Sequence, residues 1–182
     1  YHEALAILLA TMQMTLKGTP FIFQGDEMGL TNVNFTSMDQ ITDVEAKGYY
    51  QEYIQTKTHE EALNKILAGT REHTRILLPW NKNKPDYHKD IIQEINTKIT
   101  DIYKELIALR KDKTFVYGEF KVINKKKNHF TYSRKLDSEY IIDCNLSNTS
   151  QKALQLSDDY ECIFAHTKTT VDTLNPYETR IY

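Results

Sequence analysis

Cysteine is scarce in this chain. Cys144 and Cys162 are the only two among 182 residues, too few for a disulfide framework and without the short paired spacing of a zinc site. Their scarcity points to a reducing, cytoplasmic setting. An excess of either charge is also missing: 23 basic and 25 acidic residues give a formal charge of −2, so nothing draws the molecule toward nucleic acid or anionic lipid. Long hydrophobic runs are absent too. The most apolar stretch, Ala4 to Leu16, is broken by Thr11, Gln13 and Thr15 and falls short of the roughly 20 residues of a membrane span. It follows His2 and Glu3 rather than a basic segment, unlike a signal peptide. The expectation is a globular protein with neither a nucleic-acid nor a membrane partner.

What is present is a change of period along the chain. Leu5, Leu8, Leu9, Met12 and Leu16 recur at helical spacing, and Ala4, Ile7 and Ala10 make most of the remaining surface apolar, which predicts a buried helix. Gly18 and Pro20 end it. Phe21, Ile22 and Phe23 then read as a parallel strand buried on both faces. Residues 30–50 read as a long polar loop, the kind that carries function. A helix is expected over Glu60 to Ala68. Beyond Trp80, residues 81–85 read as exposed loop. Ile95, Ile99, Ile102, Leu106 and Leu109 predict a second long helix, with Arg110, Lys111 and Lys113 suited to its C-terminal dipole.

From Phe115 onward the period becomes two: Phe120 and Val122, Phe130 and Tyr132, then Tyr140, Ile142 and Cys144. Shorter strands are expected at Ala153 to Leu156, Glu161 to Phe164, Thr169 to Val171 and Thr179 to Tyr182, which together suggest an antiparallel sandwich. The run Lys125, Lys126, Lys127 reads as a solvated hairpin tip. The expected organisation is α/β followed by all-β, with domains at 1–117 and 118–182. Because the chain opens at Tyr1 in mid-pattern, it is expected to be part of something longer.

Residues 18–29, GTPFIFQGDEMG, resemble the eighth barrel strand of the α-amylase superfamily, with its QGxExG ending. GLTN at 29–32 and ITDVEAKGYY at 41–50 resemble the insertion of the oligo-1,6-glucosidase group, which includes isomaltases, dextran glucosidases and trehalose-6-phosphate hydrolases. TREHTR at 70–75 is similar to that group's SRDHAR segment. IYKELIALRKDKTFVYGEF at 102–120 resembles the last barrel helix and its exit, and LNPYETRIY at 174–182 the closing strand of the C-terminal β-domain. The resemblance implies the last strand and flanking helices of a (β/α)8 barrel followed by an antiparallel β-sandwich, in an intracellular retaining α-glucosidase acting on α-linked gluco-oligosaccharides.

That chemistry takes two carboxyl groups about 5 Å apart across the scissile bond, with a third that holds the sugar ring. The resemblance puts all three upstream of Tyr1, so no catalytic residue is assigned here and the chain by itself is expected to be inactive. Substrate-binding roles carry over to Glu45, at the DVE glutamate, and to Arg71 and Arg75, at the two arginines of SRDHAR. Carboxylate and guanidinium groups suit sugar hydroxyls because their hydrogen bonds are charge-assisted. RILLPW at 75–80 departs from the family's RTPMQW and is followed by a shorter loop.

No metal and no cofactor are expected. Asp26 and Glu27 are adjacent, and in a strand would point to opposite sides. His59, His73, His129 and His166 make no compact ligand spacing. An incomplete barrel would leave PFIF without strand neighbours, which predicts self-association. Two other readings stand beside the glycosidase: a non-catalytic module binding carbohydrate or protein, and the remnant of a split glycosidase gene.

Overall fold

In the computed structural model, residues 2–80, 93–167, 170 and 172–182 are described. The chain forms two compact units, one of residues 1–29 with 96–182 and the other of residues 30–95.

In the first unit, helix α1 (His2–Thr15) and helix α4 (Thr97–Leu109) share one core with a short helix α5 (Lys113–Tyr117) and an antiparallel sheet. The sheet contains β1 (Glu119–Lys126), β2 (His129–Lys135), β3 (Glu139–Asn145), β5 (Phe164–Ala165) and β7 (Thr179–Ile181). Its spatial order is β1-β2-β3-β7-β5, and β4 (Gln151–Lys152) pairs with β6 (Thr173–Leu174) in a separate two-stranded sheet. Alternation along the strands decides what each face meets. Tyr132, Ile142 and Cys144 join Ile7, Leu8, Met14, Ile99 and Leu106 in the core. Thr131, Asp143 and Asn145 fall on the other parity and are buried in hydrogen bonds. Asp143 accepts from Thr131 Oγ1 at 2.6 Å and from the Leu154 N–H at 2.8 Å.

The end of α1 shows how this unit is tied together. The last carbonyls of a helix have no partner within it, and α1 carries no basic residue in its final turn. Arg110, the C-cap of α4, donates to the carbonyls of Met14, Leu16 and Gly18. Buried Arg134 of β2 donates to the Thr15 carbonyl at 2.7 Å and to the Gly118 carbonyl at 3.0 Å. Burial lowers the pKa of both guanidinium groups. Gly118 is required at this junction, because a Cβ there would stand 2.3 Å from the Thr114 carbonyl oxygen.

Several expectations are corrected. Phe21, Ile22 and Phe23 form no strand, and Phe21 is 82% exposed. A parallel strand exists only through bonds to neighbours, and every strand pair among the described residues is antiparallel. The described residues therefore do not contain the last barrel strand as a strand, nor a complete barrel. Residues 30–50 are not all loop, since helix α2 (Val44–Tyr53) begins inside them. Its buried residues are only Ala46 and Tyr50, with Tyr53 partly buried against the same core, a pattern that the surrounding polar residues hide. Residues 153–156 are irregular, whereas β6 escaped notice because two residues carry no alternation. Of the Thr169–Val171 candidate only Thr170 is described, and it makes an isolated antiparallel bridge with Thr173; positions 169 and 171, like the loop at 81–85, lie outside the described residues.

The second unit holds α2 and α3 (His59–Leu67), with a core of Val33, Phe35, Ile41, Ala46, Tyr50, Ala62 and Ile66. Thr58 and Glu61 form a capping box at the start of α3. A four-residue 3₁₀ turn, Arg71–Thr74, follows Gly69 and its N-cap Thr70.

Candidate functional site

The site in the second unit is built on one N-cap. A helix start leaves N–H groups unpaired, and a short acidic side chain satisfies them best. Asp43 does this for α2, accepting the Glu45 N–H at 3.2 Å. This fixes Glu45 in the first turn of the helix. The carboxylate of Asp43 also takes a two-pronged grip from Arg71, with Nε to Oδ2 and Nη2 to Oδ1 both at 3.0 Å. Arg71 Nη2 further pairs with Glu45, and Arg75 Nη1 lies 3.8 Å from Asp43 Oδ1.

Beneath this array lies Glu72, with no exposed surface. Its Oε2 accepts the N–H groups of Thr42 and Asp43, each at 3.0 Å, and its Oε1 accepts the Thr42 hydroxyl at 2.7 Å. The buried carboxylate therefore stitches the start of α2 to the turn that carries Arg71. His73 adds a second stitch: its Nδ1 accepts the Val33 N–H at 3.2 Å, and Nε2 lies 2.7 Å from the Leu67 carbonyl.

The electrostatics follow from the pairing. The Arg71 hydrogen bonds hold the Asp43 carboxyl below its ordinary pKa, and the same bonds raise that of Arg71. Asp43 is buried, while the side chains of Arg71, Arg75 and Glu45 are 56%, 44% and 52% exposed. An anchored acid thus presents two guanidinium groups and a second carboxylate to solvent. Asp43, Glu45 and Arg71, though not Arg75, border a shallow depression of about 280 Å³ whose wall includes Tyr49, Tyr53 and Lys65. The Tyr49 and Tyr53 rings stack with centroids 6.5 Å apart, and Lys65 Nζ sits 4.3 Å over the Tyr53 ring.

The three residues singled out in the sequence are thus brought together. Two others were missed: Asp43, whose N-cap position two residues before Glu45 was a usable signal, and Glu72, whose burial no local pattern announces. Asp26 and Glu27 lie in a short 3₁₀ turn of the other unit, where Glu27 Oε2 accepts the Gly25 N–H at 2.9 Å. Trp80 is exposed, and Tyr132 is core. Among the described residues no three His, Cys, Asp or Glu side chains are grouped to hold a metal, and no helix is long and apolar enough to cross a membrane.

Comparison with known proteins gives one consistent neighbourhood. The family described as alpha amylase, catalytic domain, matches residues 1–118. The oligo-1,6-glucosidase of Halalkalibacterium halodurans is 31% identical over 221 residues, covering 100% of this chain and 38% of that protein. The glucan 1,6-alpha-glucosidase of Streptococcus pneumoniae is 29% identical over 171 residues, covering 83% of this chain and 32% of that one. Among solved structures, the isomaltulose synthase of Erwinia rhapontici superposes with a TM-score of 0.78 at 28% identity, over 100% of this chain and 38% of its own. A mutant trehalose-6-phosphate hydrolase of Bacillus licheniformis gives a TM-score of 0.81 at 25% identity, over 100% and 39%. The chain spans between 32% and 38% of the length of these two curated relatives.

Proposed function

Since the chain belongs to the α-amylase family, we propose that Glu45, Arg71 and Arg75 form the product-side rim of a pocket for α-linked gluco-oligosaccharides, in a protein acting as a retaining α-glucosidase. The observation that carries this reading is the array around Asp43, in which Arg71 bridges Asp43 and Glu45 at the edge of a depression walled by tyrosines. Sugar recognition combines charge-assisted bonds to hydroxyls with aromatic cover for the C–H faces of the ring. Guanidinium donors and the Glu45 carboxylate supply the first, and Tyr49 and Tyr53 the second. The relatives named for oligo-1,6- and glucan 1,6-linkages support an α-1,6-linked substrate.

Asp43 and Glu72 are not a hydrolytic pair. A general acid must keep its proton near neutral pH, whereas Asp43 is held ionised by Arg71. Glu72 has both oxygens committed to the backbone and hydroxyl of residues 42 and 43. We therefore hold that these 182 residues alone release no glucose. Incubating the purified chain with isomaltose and assaying glucose tests this, and release above the blank overturns it.

The same reading assigns residues 1–117 to the catalytic domain and 118–182 to a C-terminal β-sandwich. The free thiols of Cys144 and Cys162 support a cytoplasmic location. Leu9, Phe21 and Phe23, each more than half exposed, support self-association of the isolated chain. Light scattering tests that, and a monomer at micromolar concentration contradicts it.

A further inference from the structure

A second concavity in the same unit lies on the other side of α2. Successive helix residues turn by 100°, so Glu45 and Lys47 point about 200° apart. Glu45 borders the Arg71 depression; Lys47 and Gln51, one turn apart, border a cleft of about 620 Å³. That volume is in the range of small-molecule sites. Its opposite sides are the 3₁₀ turn at Met38–Gln40 and the start of α3.

The cleft is preorganised. Ser37 and Gln40 form a capping box, and Gln40 Oε1 also accepts the N–H of Thr36 at 2.8 Å. Tyr50 Oη is hydrogen-bonded to His59 Nδ1, which fixes the imidazole at the rim. Three polar ends stay uncommitted among the described residues: the Lys47 ammonium, the Gln51 amide and His59 Nε2. The Asp39 carboxylate lies across from them, and Met38 and Leu63 supply apolar lining.

We propose that this cleft is a second carbohydrate site, separate from the rim at Arg71, that holds one neutral hexose unit. The balance of charge selects the ligand class. Lys47 is offset by Asp39, so the lining has no net cationic excess to favour an anion, while it offers both donors and acceptors, as a sugar's hydroxyls require. Met38 and Leu63 offer apolar surface for C–H groups. The choice of an isomalto-oligosaccharide as probe rests on the proposed α-glucosidase reading; the site itself does not use Glu45, Arg71 or Arg75.

The test is an amide and side-chain NMR titration of the full 182-residue chain with isomaltotriose, with inorganic phosphate as the anion control. Isomaltotriose is expected to shift Lys47, Gln51 and His59. Lys47→Ala with Gln51→Ala is expected to weaken that response at least tenfold, as is Lys47→Gln alone in part, while Arg71→Ala leaves it unchanged. Shifts confined to Glu45 and Arg71 overturn the second site and leave the proposed function standing. Shifts at neither place overturn both. Shifts around Lys47 that survive the double substitution, that vanish in Arg71→Ala, or that appear with phosphate and not with the sugar also overturn the assignment.

Discussion

The carboxylate of Glu72 accepts the backbone N–H of Asp43 at 3.0 Å, so a fully buried acid holds in place the acid that grips Arg71. The relationship is one-way in cost. Replacing Glu72 by Ala strands the buried Asp43 N–H, whereas exposed Thr42 can turn its N–H and hydroxyl to water, and an unmet buried group costs about 1–3 kcal/mol. Glu72→Ala is expected to lower the denaturant midpoint clearly and to loosen Arg71. Glu72→Gln, which keeps an acceptor of the same shape, is expected to lose less. Equal losses in the two variants would mean that the acceptor oxygens are not what matters.

A second prediction concerns acid. Burial lowers the pKa of His166 from 6.5 to about 4, and both its ring nitrogens are buried without a partner. Glu178, Glu3 and Lys98 are the charged groups acting on it. Between these values the unfolded chain binds a proton that the folded chain does not. Stability is therefore complete above pH 6.5 and declines as pH falls toward 4, by on the order of 3 kcal/mol. His166→Phe is expected to flatten the stability profile over that window, as read by urea unfolding at several pH values.

Asp43 titrates lower. Its folded pKa is depressed below the ordinary 3.8 by Arg71, so its contribution is present above the unfolded value and disappears as pH falls through the folded one. Asp43→Asn is expected to remove the pH dependence of the Arg71 Nε–H signal in acid without touching the His166 window. An unchanged Arg71 titration in this variant would contradict the pairing.

Gly118→Ala is expected to destabilise the first unit. Its Cβ would enter the space of the Thr114 and Lys135 carbonyl oxygens, at 2.3 and 3.0 Å, and both are backbone atoms that move only with their elements. Overpacking of this kind costs about 1–3 kcal/mol. A wild-type melting temperature would show that the hairpin shifts freely at this point.

The two thiols should differ. Cys144 is buried and its pKa is pushed up to about 12, whereas Cys162 is exposed. Burial also raises the pKa of Cys162, so it should react with a maleimide more slowly than a free thiol. One modification per native chain and two in denaturant is the expected count.

The sequence was most readable where periodicity and packing coincide. α1, α3 and α4 stand close to their predicted spans because each carries Leu and Ile at helical spacing. β1 to β3 were equally visible through alternation. Phe21 to Phe23 misled because apolar content marks a strand only if neighbours exist to bond it, and that condition is not local. α2 was hidden for the opposite reason: its face toward the core is only Ala46, Tyr50 and a partly buried Tyr53 among polar residues, and Asp43 rather than hydrophobicity starts it. Glu45, Arg71 and Arg75 were named from a resemblance; what joined them, Asp43 above and Glu72 below, depends on residues 28 to 30 positions apart meeting in space.

The most direct measurement is the Arg71 Nε–H resonance of the isolated chain titrated with isomaltose. A saturable shift of Arg71, shared by Glu45 and abolished in Glu45→Ala, is the predicted result. An Arg71 signal that stays fixed while the sugar reaches saturating concentration would contradict the account of this array as the rim of a carbohydrate pocket.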